Sequence, residues 1–277
     1  MNKEQSKGLK RNTIDKYYTK KDIVKECVTY IKKNINISKN DLIIEPSAGN
    51  GSFINFIKKL SNNYEFYDLE PENKQITKQD FLEYNYVKNE KQYKKIHIIG
   101  NPPFGRQSSL AIKFIKKCCE FSQSISFILP KSFKKDSMQK HFSNKFHLIY
   151  EMDLPKNSFL VNTIETDVPC IFQIWEKNDK KERIKIIKNE PLHFKFVKKE
   201  INPDISFRRV GVNAGNISIE INNKSSQSHY FIKFTNNKSI NENLEQLKKN
   251  KFDFNNTVGP KSISKPELID EFNKSLN

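Results

Sequence analysis

Residues Leu42 to Leu60 read LIIEPSAGNGSFINFIKKL. A short apolar run ends on Glu45, a turn containing Gly49 and Gly51 follows, and from about Ser52 apolar side chains recur at helical spacing. A strand that passes through a glycine turn directly into a helix is one βα unit, the building block of a parallel sheet with helical crossovers. Glycine suits such a turn because a Cβ would block both the positive φ angles and the approach of a ligand. The carboxylate four positions before Gly49 narrows the ligand, since it suits an ammonium or hydroxyl group and repels a phosphate. The Lys-Ser/Thr ending of a phosphate-cradling loop is also missing.

The alternation extends in both directions. YYTKKDIVKECVTYIKKN (17–34) places Ile23, Val24, Cys27, Val28 and Ile31 on one face and predicts a helix from about residue 20, with Thr19 and Asp22 as a capping box. Strands are predicted in YEFYDLE (64–70), KIHIIG (95–100), SISFILP (124–130), HLIYEMDL (147–154) and VPCIFQIWE (168–176), and helices in SSLAIKFIKKCCEF (108–121) and KKDSMQKHFSNKF (134–146). This is an α/β pattern with mostly parallel pairing, whose ligands bind at the carboxyl ends of the strands. The turns EPSAGNG, DLEP and NPPFG each follow a predicted strand, so they are expected to converge on one edge. Residues 1–14 read as a flexible basic arm, 15–180 as the main domain and 181–277 as an extension. In that extension the alternation fades: RIKIIK (183–188) and HYFIKF (229–234) read as strands, NENLEQLKKN (241–250) as a short helix, and the tail as an appendage packed against the main sheet, with mobility of the last twenty residues as the alternative.

Composition bounds the partners. Lys and Arg total 49 against 32 acidic residues in 277, a formal charge of +17, with an isoelectric point near 9.5. Such a balance favours a polyanion such as DNA or RNA, while the abundance of Lys, Asn and Ile also fits a merely solvated surface. Cys27, Cys118, Cys119 and Cys170 have neither C-x-x-C spacing nor a nearby His pair, so no zinc site or disulfide framework is expected. Their number and spacing fit a reducing, intracellular compartment, cytoplasm or nucleus. No stretch has the length and apolarity of a membrane span, and MNKEQSKGLKRN lacks the apolar core of a secretion signal.

Asp68 stands at a strand end about twenty residues after the glycines, where an acid binds ribose hydroxyls in dinucleotide folds. Asp80 beside Phe81 offers an acceptor next to a ring. Alone, each is an ordinary turn residue; together their order is informative. The series YYTKKDIV, EPSAGNGSF, DLEP, QDF and NPPFG resembles the S-adenosylmethionine-dependent amino methyltransferases, specifically those that modify adenine N6 in nucleic acids, over about residues 15 to 176. The resemblance implies a Rossmann-like methyltransferase fold: a mostly parallel seven-stranded sheet with helices on both faces and a small C-terminal appendage. It implies S-adenosylmethionine as cofactor, with Glu45, Pro46, Ala48, Gly49 and Gly51 along its methionine part. Asp68 and Leu69 would lie at the ribose, Asp80 and Phe81 at the adenine, and Tyr18 and Thr19 at the amino-acid end.

Asn101-Pro102-Pro103-Phe104 gives the chemistry. A purine amine is a weak nucleophile because its lone pair is delocalised into the ring. Acceptors on its two N–H groups favour the transition state, in which the nitrogen pyramidalises and gains positive charge. The Asn101 side-chain oxygen and the Pro102 carbonyl are such acceptors. The prolines fix φ and remove donors, and Phe104 supplies a stacking face. The resembling enzymes present a further ring to the flipped base, for which Phe159 is the candidate. Arg208 and Arg209, and more loosely Ser228, His229 and Tyr230, are candidate contacts to nucleic acid. No metal or covalent intermediate is called for. The same two turns also occur in enzymes that methylate a protein glutamine amide, and a silent binding module of the same architecture is the third alternative. DNA and RNA both remain open as substrates, with DNA slightly ahead.

Overall fold

The computed structural model describes residues 16–86, 93–180, 182, 190–252, 254 and 260–277. The chain divides near residue 184 into two compact units. The first contains, in order, β1 (Tyr18–Thr19), α1 (Lys21–Asn34), β2 (Leu42–Glu45), α2 (Ile54–Leu60), β3 (Asn63–Asp68), β4 (Thr77–Lys78), β5 (Ile96–Gly100), α3 (Ser109–Phe121), β6 (Ser124–Pro130), α4 (Asp136–Gln139), β7 (Phe146–Asp153), β8 (Phe159–Val161), β9 (Ile164–Thr166) and β10 (Cys170–Lys177). Seven of these strands form one sheet in the order β4-β3-β2-β5-β6-β10-β7. β10 runs antiparallel to both of its neighbours, and the other pairings are parallel.

Strand periodicity sorts the apolar residues onto two faces. Ile43, Ile99, Ile128 and Phe172 pack with α1 and α2 in one core, while Leu42, Ile44, Ile98, Phe127 and Trp175 pack with α3 in the other. The expected helix-covered, mostly parallel seven-stranded sheet is the one observed. Because β2, β3 and β5 run parallel, their carboxyl ends, Glu45, Asp68 and Gly100, share one edge.

Three local expectations give way to tertiary contacts. Thr19 does not cap α1: the N-cap is Lys20, without a side-chain bond, because Thr19 is drawn into β1, where it pairs with Phe159. The helix expected over 134–146 shrinks to a 3₁₀ turn and the four-residue α4. Phe142 leaves helical spacing to stack on Trp175, ring centroids 4.0 Å apart, and Phe146 opens β7. The loop expected between β7 and β10 contains the hairpin β8–β9, turned by Asn162 and Thr163 at positive φ.

A buried polar group ties the sheet together. His97 Nδ1 lies 2.7 Å from Ser124 Oγ and Nε2 3.4 Å from Asp41 Oδ2. Burial lowers the His97 pKa, against the opposing pull of Asp41. The folded chain therefore binds this proton less readily than the unfolded chain. The associated stability is complete above about pH 6.5 and falls as the pH drops below it, by up to about 1.4 kcal/mol per pH unit. Thermal melts between pH 5 and 7.5 are expected to show this slope, and His97→Gln to reduce it.

The second unit holds β11 (Phe194–Val197), β12 (Ile205–Arg208), β13 (Ile217–Ser218), β14 (His229–Phe234), α5 (Ile240–Leu247) and α6 (Lys265–Leu276). Its sheet is antiparallel, ordered β11-β14-β12-β13. Both helices start with capping boxes, Ser239 with Glu242 and Ser264 with Glu267. The last twenty residues, for which mobility was the alternative, contain α6. Leu268, Phe272 and Leu276 recur at helical spacing and are buried, and Phe272 meets Phe194 and Phe207 edge-on at 5.3 and 5.6 Å. The expected arm over 1–14 and the strand RIKIIK (183–188) lie outside the described residues. Among those described, no helix is long and apolar enough to cross a membrane.

Candidate active site

The glycine turn closes locally. Gly49 and Gly51 have φ of +52° and +85°, a region costly for any residue with a Cβ. A Cβ on Gly49 would stand 3.1 Å from Tyr18 Cε1, so the Tyr18 ring lies directly on the turn. Asp68, at the end of β3, accepts the Gly49 N–H through Oδ2 at 2.8 Å and the Glu70 N–H through Oδ1 at 2.8 Å. The neighbouring turn is tied to this one: Ser47 Oγ donates to the Asn101 carbonyl at 3.1 Å. The two turns singled out in the sequence are thus adjacent.

A cavity of about 970 Å³ opens between them. Its lining includes Tyr18, Thr19, Glu45, Pro46, Ala48, Gly49, Asp68, Leu69, Asp80, Phe81, Asn101, Pro103 and Phe104. Gly51 and Pro102 are not part of the lining; Gly51 shapes the turn, and Pro102 is buried. Phe81 reaches the cavity from an aromatic cluster, stacked on Tyr84 at 5.3 Å, and Asp80 Oδ1 accepts the Leu82 N–H at 2.8 Å. Phe104 is half-buried and packs against both cores.

Phe159 is placed differently from the expectation. It is fully buried in the core beneath β1, edge-on to Tyr17 at 6.3 Å, and does not line the cavity. It supports the wall that carries Thr19 and offers no face to a base. Arg208 and Arg209 belong to the second compact unit.

Two buried atoms stand out. Among the described residues, no hydrogen-bond partner reaches Glu45 Oε2 or Asn101 Oδ1. Burial, then the nearby Asp68 charge, raises the Glu45 pKa well above the usual carboxylate range. An unpaired buried carboxylate is costly unless a cation fills its site. Four carboxylates, Glu45, Asp68, Glu70 and Asp80, line the cavity against Lys16 and Arg106, so the lining is acidic in a strongly basic chain. This donor set fits S-adenosylmethionine, whose ammonium and sulfonium are both cationic. Glu45 would hold its amino-acid end and Asp68 its ribose. Among the described residues, no cluster of three or more His, Cys, Asp or Glu could hold a metal ion.

The segment before α1 was only loosely legible in the sequence. Lys16 pairs with Glu70 at 3.1 Å and Glu72 at 3.2 Å, and the Tyr18 hydroxyl donates to Glu72. Burial, with the Glu72 carboxylate, pushes the Tyr18 phenol up to about 12. These partners lie more than fifty residues apart, so no periodicity announces them. Ser47 was also missed, although it sits within the quoted turn.

The family model for the EDM2 methyltransferase-like domain matches residues 36–187. Among solved structures, PH1948 of Pyrococcus horikoshii, an inferred RNA methyltransferase, is 16% identical over 62% of this chain and 92% of its own, with a TM-score of 0.48. The methyltransferase subunit of a type I restriction-modification system from Streptococcus thermophilus is 14% identical, over 96% of this chain and 59% of that subunit, with a TM-score of 0.47. Thermoplasma acidophilum 1320 is 19% identical over 59% of this chain and 89% of its own, at a TM-score of 0.43. No curated protein matches the sequence. With the model spanning more than half of the chain and covering both turns of the cavity, the chain belongs to the EDM2 methyltransferase-like domain family.

Proposed function

We propose that the protein transfers a methyl group from S-adenosylmethionine to the exocyclic N6 of adenine in nucleic acid, with DNA favoured over RNA. The observation that carries this reading is the pair of unpartnered buried acceptors, Glu45 Oε2 and Asn101 Oδ1, on adjacent turns of one cavity. The first suits a cofactor ammonium, and the second suits a substrate N–H.

When bound, the cofactor supplies an electrophilic methyl group. The chain's own residues act on the amine. Asn101 Oδ1, on the cavity wall, accepts an N–H of the amine, an interaction that strengthens as the nitrogen pyramidalises. Phe104, wedged between two cores, gives the base a rigid stacking face, worth about 1–3 kcal/mol. Holding both reactants in line supplies much of the remaining rate.

In the second unit, cations lie on ring faces. The Arg209 guanidinium is 5.5 Å from the Tyr230 ring, and Lys265 Nζ is 4.6 Å from Phe196 and 5.9 Å from Tyr230. Arg208 Nε donates to the Val210 carbonyl at 2.8 Å. Such cations keep their charge available to phosphates, and residues 181–277 are the proposed contact region for the nucleic-acid backbone. The double variant Arg209→Ala with Lys265→Ala is expected to weaken binding equally for all sequences. In anisotropy titrations it should flatten the slope of log affinity against log salt by about two.

The deciding experiment is nucleoside mass spectrometry after incubation with mixed DNA and RNA and the methyl donor. N6-methyldeoxyadenosine is expected. N6-methyladenosine alone would move the target to RNA, and neither nucleoside, with methyl incorporated into a protein glutamine in a parallel incubation with a release-factor-like protein, would overturn the reading.

A further inference from the structure

We propose that Thr19 is a positioning residue for Asn101: its hydroxyl, with the Tyr17 carbonyl, fixes the orientation of the Asn101 amide so that Oδ1 faces the substrate amine. The inference rests on the function proposed above. An asparagine amide has two nearly isosteric orientations, and only one serves catalysis. With Oδ1 in the site it accepts a substrate N–H; turned over, it opposes donor to donor.

The structure selects between them through β1. Asn101 Nδ2 donates to the Tyr17 carbonyl at 3.2 Å and to Thr19 Oγ1 at 3.3 Å, while Oδ1 has no partner. A carbonyl can only accept, so the group beside Tyr17 O is the NH₂. Thr19 takes the second amide proton, and its burial, 4% exposed, keeps water from substituting for it. β1 is itself held in place. Thr19 pairs with Phe159 and Tyr18 with Leu160, the Lys20 N–H donates to the Ser158 carbonyl at 3.1 Å, and Lys16 pairs with Glu70 and Glu72. The resemblance assigns Thr19 to the amino-acid end of the cofactor; the geometry assigns its hydroxyl to the catalytic amide.

Thr19→Val keeps shape and β propensity but removes the acceptor, while Thr19→Ser keeps it. In Thr19→Val, kcat for methyl transfer is expected to fall about tenfold. KM for nucleic acid and the Kd of S-adenosylhomocysteine should stay within about twofold, and Thr19→Ser should recover to within about threefold. Loss of affinity for S-adenosylhomocysteine in proportion to the rate, or failure of serine to rescue, overturns the proposal.

A second readout needs no substrate. In protein labelled with ¹⁵N-asparagine, the Asn101 side-chain amide is identified by its loss in Asn101→Ala. It should show contacts to the Thr19 methyl and slowed exchange, and Thr19→Val should speed that exchange at least fivefold. Unchanged exchange overturns the proposal whatever the enzyme methylates. The expected exchange change, combined with no methyl transfer to DNA or RNA by the unaltered protein, sinks the substrate reading and leaves the orientation standing.

Discussion

Asn101→Ala is expected to lower methyl transfer to nucleic acid by about a hundredfold or more, with cofactor affinity within about threefold of the unaltered protein. The removed oxygen is an acceptor without a partner in the folded chain, while the removed Nδ2 leaves the Tyr17 carbonyl and Thr19 Oγ1 without that donor. The oxygen's work is confined to the amine, whose N–H groups become better donors as nitrogen gains positive charge. The cofactor side should hold, because β1 keeps its pairing with β8 and the preceding Lys16 keeps its ion pairs to Glu70 and Glu72 when the amide is gone. Single-turnover rates and calorimetric titration with S-adenosylhomocysteine separate the two quantities. A variant with unchanged turnover would refute the assigned role.

Glu45→Gln is expected to weaken S-adenosylmethionine binding by thirtyfold or more and, in the same protein, to raise its stability without cofactor. The sign follows from burial. Folding raises the Glu45 pKa, so the folded state holds this proton more tightly than the unfolded chain. The associated stability is present below the unfolded value of about 4.3 and is lost as the pH rises through the folded one. At pH 8 glutamine removes the cost of the buried charge, so its melting temperature without cofactor is expected to exceed that of the unaltered protein. Cofactor binding requires the ionised carboxylate, so affinity should rise with pH across the same window, and titrations in buffers of different ionisation heat should reveal a released proton. Equal melting temperatures at pH 8, together with unchanged affinity, would remove Glu45 from the cofactor site.

Much of the fold was legible because strands and helices carry their periods locally. LIIE, KIHIIG and SISFILP are apolar runs because both faces of the parallel sheet are covered, and α1 and α3 show the stripes that bury against it. The expectations that failed were those in which one residue had both a local and a distant partner. Thr19 fits a capping box, yet β8 and Asn101 claim it. The spacing of Phe142 fits a helix, yet Trp175 draws its ring away. Phe159 follows a loop-like stretch, and burial under β1 turned a candidate stacking ring into core.

The amino-acid order alone determined the strand-turn-helix unit, the need for glycine at positions 49 and 51, and the stiffness of Asn101-Pro102-Pro103-Phe104, because these follow from short-range sterics and hydrogen-bonding capacity. Only the tertiary structure decided that the two turns share one cavity, that Glu45 and Asn101 each keep an oxygen without a partner, and that the Asn101 amide donates to Tyr17 and Thr19 at a two-residue strand. Those depend on contacts between residues more than fifty positions apart, and a separation of that kind leaves no period in the chain.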